Sequence, residues 1–262
     1  MWQDAYGGKE LSRNSLKHIK SVISAIFKLA KQLDYFQGEN PAKDTAVNLS
    51  APEPAETHAY SLEEVNAILA HVPEPAATAV AIGAYAGLRI GEIEGLRWED
   101  YRDSEIHVSR SIWNGHETAP KTRKSRAPVP VVRQLAERLE MHRLRCGNPQ
   151  SGPMFANGKG NPQSMSNLLG RLILPALRKT GIEWHGWHAC RRGLGSTLYR
   201  LGVPDLVIQR ILRHANVSTT TGYYIKTAAD DVREAMAKQE NSIAQAELDT
   251  NWTPIPVPAR TM

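Results

Sequence analysis

Between Asn14 and Leu33 apolar residues return every third or fourth position, at Leu16, Ile19, Ile23, Ile26, Phe27 and Ala30. That spacing predicts one amphipathic helix. Asn40-Pro41 ends the region, and from 42 to 58 (AKDTAVNLSAPEPAETH) the periodicity vanishes into Pro, Ala and Glu, as in an exposed linker. Ser61 with Glu64 three positions on reads as a capping box. The helix it opens carries the stripe Val65, Ile68 and Leu69, so a domain boundary is expected in the fifties. The period then changes. Residues 106–112 (IHVSRSI) alternate as a strand does, and 127–131 (APVPV) suits an edge strand, where proline is tolerated. Helical spacing returns from Val132 to Arg145. It returns again after Pro204, with an apolar side that includes Leu206, Val207, Ile211 and Leu212. No internal repeat is visible. The expected fold class is mainly α (α+β), helices with one small antiparallel sheet.

Composition narrows the setting. At 262 residues and 41% hydrophobic, the chain can bury a core. The two cysteines, Cys146 and Cys190, are far apart, which argues against a disulfide framework and for a reducing compartment. No secretory signal is visible, and the longest nearly apolar run, Ala76 to Leu88, falls short of the roughly 20 residues of a membrane span. A soluble, cytoplasmic protein is expected. Net charge is +5 and the pI is near 9.2, a balance that suits a polyanion without requiring one. The cations cluster at 121–126 (KTRKSR), then at Arg191-Arg192, Arg200, Arg210 and Arg213. A charge block alone is more often a solvated face. It points to nucleic acid only if other features converge on a phosphate.

Four segments carry candidate chemistry. In 86–96 (AGLRIGEIEGL), Arg89 sits in an apolar stretch beside glycines. A charge there needs a partner. The bland partner is Glu92, one turn on; the sharper one is a phosphate gripped by a guanidinium that Glu92 holds in place. Lys121 in the basic loop is a candidate phosphate contact or proton donor. In 184–192 (WHGWHACRR), His188 and Arg191 share a helical face. The segment 212–224 (LRHANVSTTTGYY) holds His214 and the pair Tyr223-Tyr224. His185, His188 and Cys190 are crowded enough to raise zinc, but no second Cys/His pair accompanies them, so no metal is expected. There is no G-x-S-x-G elbow, P-loop or G-x-G-x-x-G, so neither a serine hydrolase nor nucleotide hydrolysis is supported.

Taken in order, Arg…Lys…His-x-x-Arg…His…Tyr resembles the tyrosine recombinase (phage integrase) family. The resemblance is carried by AGLRIGEIEGL, PKTRKSR, HACRRG and LRHANVSTTTGYY, and runs from about residue 11 to 240. Each motif alone is weak; four in the right order are specific. Cys190 departs from the bulkier apolar residue usual in the family, at a packing position. The resemblance implies a helical catalytic domain of the DNA breaking-rejoining type at 59–240, a linker at 51–58 and a tail at 241–262. Residues 1–50 then correspond to the last part of a helical core-binding domain, a DNA clamp whose beginning is expected to lie outside this chain.

The resemblance also implies roles. Arg89 and Arg191 grip the scissile phosphate, and His214 adds a hydrogen bond. Lys121 protonates the departing 5′ oxygen, His188 helps remove the tyrosine proton, and Glu92 supports the site. Arg123, Lys124, Arg126 and Arg192 contact DNA. Counting from His214 leaves Tyr223 and Tyr224 both open. The family habit of a His or Lys two positions after the nucleophile favours Tyr224, followed by Lys226, with Tyr223 a packing neighbour. No cofactor is expected. The implied partner is double-stranded DNA, bound by a homotetramer on paired duplexes, with a monomer in its absence. Two rivals remain: a type IB topoisomerase, and a DNA-binding fragment without catalysis.

Overall fold

The structure, a computed structural model, describes residues 11–47, 51–52, 57–119 and 127–213. The chain divides into two compact units, residues 1–57 and 58–262.

In the first unit helix α1 spans Arg13–Gln32, with the Ser12 side chain accepting the Ser15 N–H at its N-terminus. Of the expected stripe, Leu16, Phe27 and Ala30 are half-buried, whereas Ile19, Ile23 and Ile26 are exposed. The return of the chain is fixed by Asn40, whose amide donates to the carbonyl and hydroxyl of Ser24 at 3.0 and 2.9 Å. Phe27 and Phe36 meet edge to face.

The second unit starts with α2 (Leu62–His71), and the expected capping box is present: Ser61 Oγ accepts the Glu64 N–H while Glu64 accepts the Ser61 N–H. Helix α3 (Ala76–Ala81) is wholly buried and runs into a π-helical turn at Ile82–Ala86. Small side chains let this segment lie against α8 (Trp187–Arg200), which itself buries Ala189, Cys190, Gly193 and Gly195. Helix α4 (Ile90–Gly95) follows, and α5 spans Arg133–Arg145. Two short helices, α6 (Met165–Leu168) and α7 (Leu174–Arg178), are joined by a second π-helical turn. Helix α9 (Asp205–Leu212) ends the described chain.

Where one sheet was expected, the described residues form two. Strands β1 (Tyr101–Arg102), β2 (Glu105–Ile106) and β5 (Val129–Pro130) form one antiparallel sheet in that order. Pro130 lies on its edge, as the sequence implied. Strands β3 (Ser111–Trp113) and β4 (His116–Thr118) form a separate hairpin, turned by Asn114 and Gly115 at positive φ. The expected strand 106–112 is therefore divided, although Ile106, Val108 and Ile112 keep the alternation by being buried. Asp100 is the cause. Its carbonyl accepts the His107 N–H at 2.8 Å, and its carboxylate accepts Ser109 Oγ at 3.0 Å and Arg110 Nη1 at 2.6 Å. The backbone that a continuous ladder would pair is clamped to Asp100 instead.

The buried face of α9 also differs from expectation. Leu206 and Val207 are exposed, while Ile208 and Leu212, one turn apart, pack against Leu194, Leu198, Tyr199 and Val203. The helix turns toward α8, and a half-apolar helix can bury only one stripe.

Gly193 is dictated by contact. A Cβ there would lie 2.2 Å from the carbonyl oxygen of Tyr60, whose own N–H donates to the Ala189 carbonyl. Gly193→Ala is expected to force the 58–60 segment off α8, costing about 1–3 kcal/mol as overpacking does. Gly170→Ala, in a helical turn with open space around the new methyl, is expected to be neutral or stabilising by up to about 1 kcal/mol. Thermal melts of both variants read the contrast; equal melting temperatures would contradict it.

Candidate functional site

Arg89 emerges just after the π-helical turn that continues α3. The π-helical turn stops at Gly87, whose φ of +63° is left-handed, and a Cβ there would come within 3.0 Å of Leu194 and Leu212. Arg89 then occupies the N-cap of α4 in an extended conformation. Glu92, at the third helical position, reaches back: Oε2 accepts the Arg89 backbone N–H and Oε1 accepts Arg89 Nη1, both at 2.9 Å. The bland partner weighed from sequence is thus present. Its pairing leaves the guanidinium partly exposed, at 36% of its side-chain surface, while Glu92 is buried at 5%.

The same carboxylate has a second cation. Arg213 Nη2 donates to Glu92 Oε2 at 2.7 Å, with both side chains buried. Arg213 is the C-cap of α9, at a φ of +53°. Burial pulls the Glu92 pKa upward, but Arg213, the Arg89 backbone N–H and the Arg89 charge outweigh it, and the carboxyl titrates below the ordinary range.

Arg191, buried on α8, joins the two ends. Its Nη1 donates to the Gly87 carbonyl and its Nη2 to the Leu212 carbonyl. These bonds run from the middle of α8 to the segment before Arg89 and to the residue before Arg213. Three stretches, one of them 104 positions before Arg191, meet at one guanidinium. His188, one turn earlier on α8, is exposed. Its pKa is lowered, first by partial desolvation and then by the charges of Arg191, Arg192 and Arg89, so at neutral pH the imidazole is uncharged and able to accept a proton.

The sequence-derived residues therefore fall into three groups. Arg89, Glu92, His188 and Arg191 come together. Arg192 turns elsewhere: its Nε donates to the His58 carbonyl at 2.7 Å, and the side chain is half-buried. Lys121, Arg123, Lys124, Arg126, His214, Tyr223 and Tyr224 lie outside the described residues. Of the residues raised for zinc, Cys190 is fully buried in the core and His185 stacks on His58 at 3.9 Å. Arg213 was noted from sequence only as one of the basic residues. Nothing in its neighbours signals that it would be buried against Glu92.

Comparison with known proteins bears on this arrangement. The model of the phage integrase family matches residues 60–230, well over half of the chain. The chain belongs to the phage integrase family. Among curated members it is similar to a XerC-like tyrosine recombinase of Caldanaerobacter subterraneus subsp. tengcongensis, 26% identical over 245 residues, covering 81% of this chain and 62% of that protein. It is also similar to transposase A from transposon Tn554 of Staphylococcus aureus, 29% identical over 163 residues, covering 58% of this chain and 44% of that protein. The chain thus spans less than two thirds of the length of these relatives. In fold it is similar to the Tn1549 transposon integrase in complex with transposon right end DNA, with a TM-score of 0.73, 19% identity, and 90% and 82% of the two chains covered. A lambda integrase dimer bound to a COC′ core site gives a TM-score of 0.60 at 19% identity, with 85% and 75% covered. These integrase folds share the mainly α architecture with small antiparallel sheets.

Glu92 is expected to be the least replaceable member of the cluster for stability. Glu92→Ala takes the carboxylate away from the buried Arg213 and should cost about 3–5 kcal/mol. Arg89→Ala, at a partly exposed position, should cost about 1 kcal/mol or less. The Glu92 contribution has a sign in pH. Because its folded pKa is depressed below the ordinary carboxyl value of 4.5, its stabilisation is fully present above about pH 4.5 and is lost as pH falls through the lower folded value. Urea titrations of wild type and Glu92→Gln between pH 7 and pH 3 should therefore converge toward the acid end.

Proposed function

We propose that this chain is a site-specific DNA recombinase that cleaves and rejoins DNA through a 3′-phosphotyrosine intermediate. The observation that supports it most is the convergence of Arg191 on Gly87 and Leu212, which draws the Arg89 segment and the segment leading into His214 onto the helix that carries His188. That is an arrangement suited to charge accumulating on one phosphodiester.

The chemistry follows from the groups. Arg89 and Arg191 neutralise the non-bridging oxygens, which gain charge as the fifth oxygen arrives. His214 adds a hydrogen bond to the same oxygens. A phenol with a reference pKa near 10 is a poor nucleophile at neutral pH, so the tyrosine, assigned to Tyr224, gives its proton to the uncharged His188 as it attacks phosphorus. The bond to the 5′ oxygen breaks, and Lys121 supplies the proton that leaves a free 5′ hydroxyl. In the second half the 5′ hydroxyl of a partner duplex attacks the phosphotyrosine and returns the phenol. The phosphodiester energy is kept in the covalent link, so neither ATP nor a metal enters the balance. Two such exchanges require four active sites, hence a homotetramer on two duplexes. Arg123, Lys124 and Arg126 add backbone contacts to double-stranded DNA.

A duplex carrying a nick beside the cleavage point traps the covalent intermediate, because the short 5′ fragment diffuses away. Wild type is expected to give a protein–DNA adduct, Tyr223→Phe to retain it and Tyr224→Phe to lose it. Loss in Tyr223→Phe alone would reassign the nucleophile, and no adduct in wild type would sink the catalytic reading. Duplex affinity should fall steeply as salt rises, as expected for several neutralised phosphates. The adduct rate should fall as pH drops through the depressed His188 pKa, and His188→Gln should flatten that limb.

A further inference from the structure

We infer that Arg213 is a positioning residue for this reaction, holding the Arg89 guanidinium toward the phosphate by way of Glu92. The inference rests on the recombinase reading for what Arg89 does, and on separate geometry for what Arg213 does.

The geometry is a three-way division of one carboxylate. Among the described residues, Glu92 Oε1 receives only Arg89 Nη1, while Oε2 is shared by the Arg89 backbone N–H and Arg213 Nη2. Both oxygens lie in a buried group, so their lone pairs have little recourse to water. With Arg213 in place, Oε2 is satisfied by a buried cation and Oε1 is left to orient Arg89 from one side. Without Arg213, the remaining cation is the partly exposed Arg89. The carboxylate then either takes up a proton, releasing Arg89, or draws Arg89 inward, away from the open face. Either outcome misaligns the group that would meet the phosphate.

Two further features favour a role beyond packing. Arg213 adopts a left-handed backbone at a position where glycine would be unstrained. A side chain held there at 2% exposure is matched to a specific partner. It is also the residue immediately before His214 in the chain, and the Leu212 carbonyl on its other side is held by Arg191. One ion pair therefore joins the end of α9 to the start of α4.

Among the described residues the charged and titratable groups around Glu92 are few. Its own element supplies Arg89 and also carries Glu94, which accepts the Met165 N–H, and α9 supplies Arg213. Helix α8 contributes Arg191, bound to the flanking carbonyls, and His188. The adjoining strand β3 presents Ser111 and Ile112 and helix α6 carries no ionisable side chain, while Tyr85 of the π-helical turn bonds Asn66.

The left-handed backbone supplies an unusually clean variant. Arg213→Gly removes the guanidinium while relieving the backbone, which offsets part of the cost of taking the buried cation from Glu92, and circular dichroism checks that the variant is folded before assay. The nicked-duplex assay is run on wild type, Arg213→Gly, Arg213→Lys, Arg89→Ala and Arg213→Gly/Arg89→Ala, alongside duplex binding by fluorescence anisotropy. Arg213→Gly should cut the adduct rate at least about tenfold and weaken binding about threefold, estimates of the size expected when a charge-assisted contact is misplaced. In a His188→Gln background, where that imidazole no longer sets the limb, Arg213→Gly should make activity fall off at higher pH, because Glu92 has lost the charge that most favours its ionised form. Arg213→Lys should recover the acid limb of that background. In the Arg89→Ala background, Arg213→Gly should add nothing to either loss. Losses that multiply within about twofold, the limit for independent sites, or an unshifted pH profile in an active Arg213→Gly/His188→Gln, would overturn the inference. A wild type that forms no adduct removes the recombinase reading, and the binding cycle between Arg213 and Arg89 then judges the positioning claim by itself.

Discussion

A carboxylate withdrawn from water must be surrounded by donors, and in this protein the demands of Glu92 organise the site. Its two oxygens bind the N-cap of α4 and the C-cap of α9 at once. Desolvation of an acid is among the larger single penalties a fold can carry. Two arginines contributed by residues 89 and 213 offset it, so the polar centre is tied to the global fold. If α9 moves away, the acid loses its buried cation.

Arg191 makes the complementary demand from the cationic side. A buried guanidinium has five N–H groups to satisfy, and this one directs two of its nitrogens at backbone carbonyls, Gly87 and Leu212. Backbone acceptors have fixed positions, which side chains do not. The close approach that permits the bonds depends on the lack of a Cβ at Gly87 and on the small residues along α8. Packing and polar chemistry are thus one problem here: the apolar face of α8 sets the distance at which its arginine operates.

How much of this could be read from the sequence follows from the range of each interaction. The helix at Arg13–Gln32, the capping box at Ser61 and Glu64, and the edge position of Pro130 were legible because they depend on neighbours within a few residues. So was the Arg89–Glu92 pair, one turn apart. The division into two sheets was hidden, because it depends on what Asp100 does to residues seven to ten positions away. The buried stripe of α9 was misread since its pattern admits more than one apolar face, and only contact with α8 chooses. Arg213 was least legible of all. It looks like one more surface cation, and the left-handed turn that buries it leaves no trace in a residue type that rarely adopts that conformation. The motif residues were found from their order along the chain, whereas what holds them in place belongs to backbone carbonyls that no motif records.

The segment 58–60 has a consequence for where the second unit can be said to begin. Tyr60 donates its N–H to Ala189 and receives the His185 N–H on its hydroxyl, while the His58 carbonyl takes Arg192. Burial drives the Tyr60 phenol well above its usual pKa, so it stays a neutral two-way connector. The periodic pattern resumes only at the capping box; by hydrogen bonding the unit opens three residues earlier, with a stitch that closes the helix bearing Arg191 from outside. Any minimal fragment cut for expression has to keep that stitch, because its loss would leave Arg192 and the amide of His185 seeking new acceptors beside the very turn that presents His188.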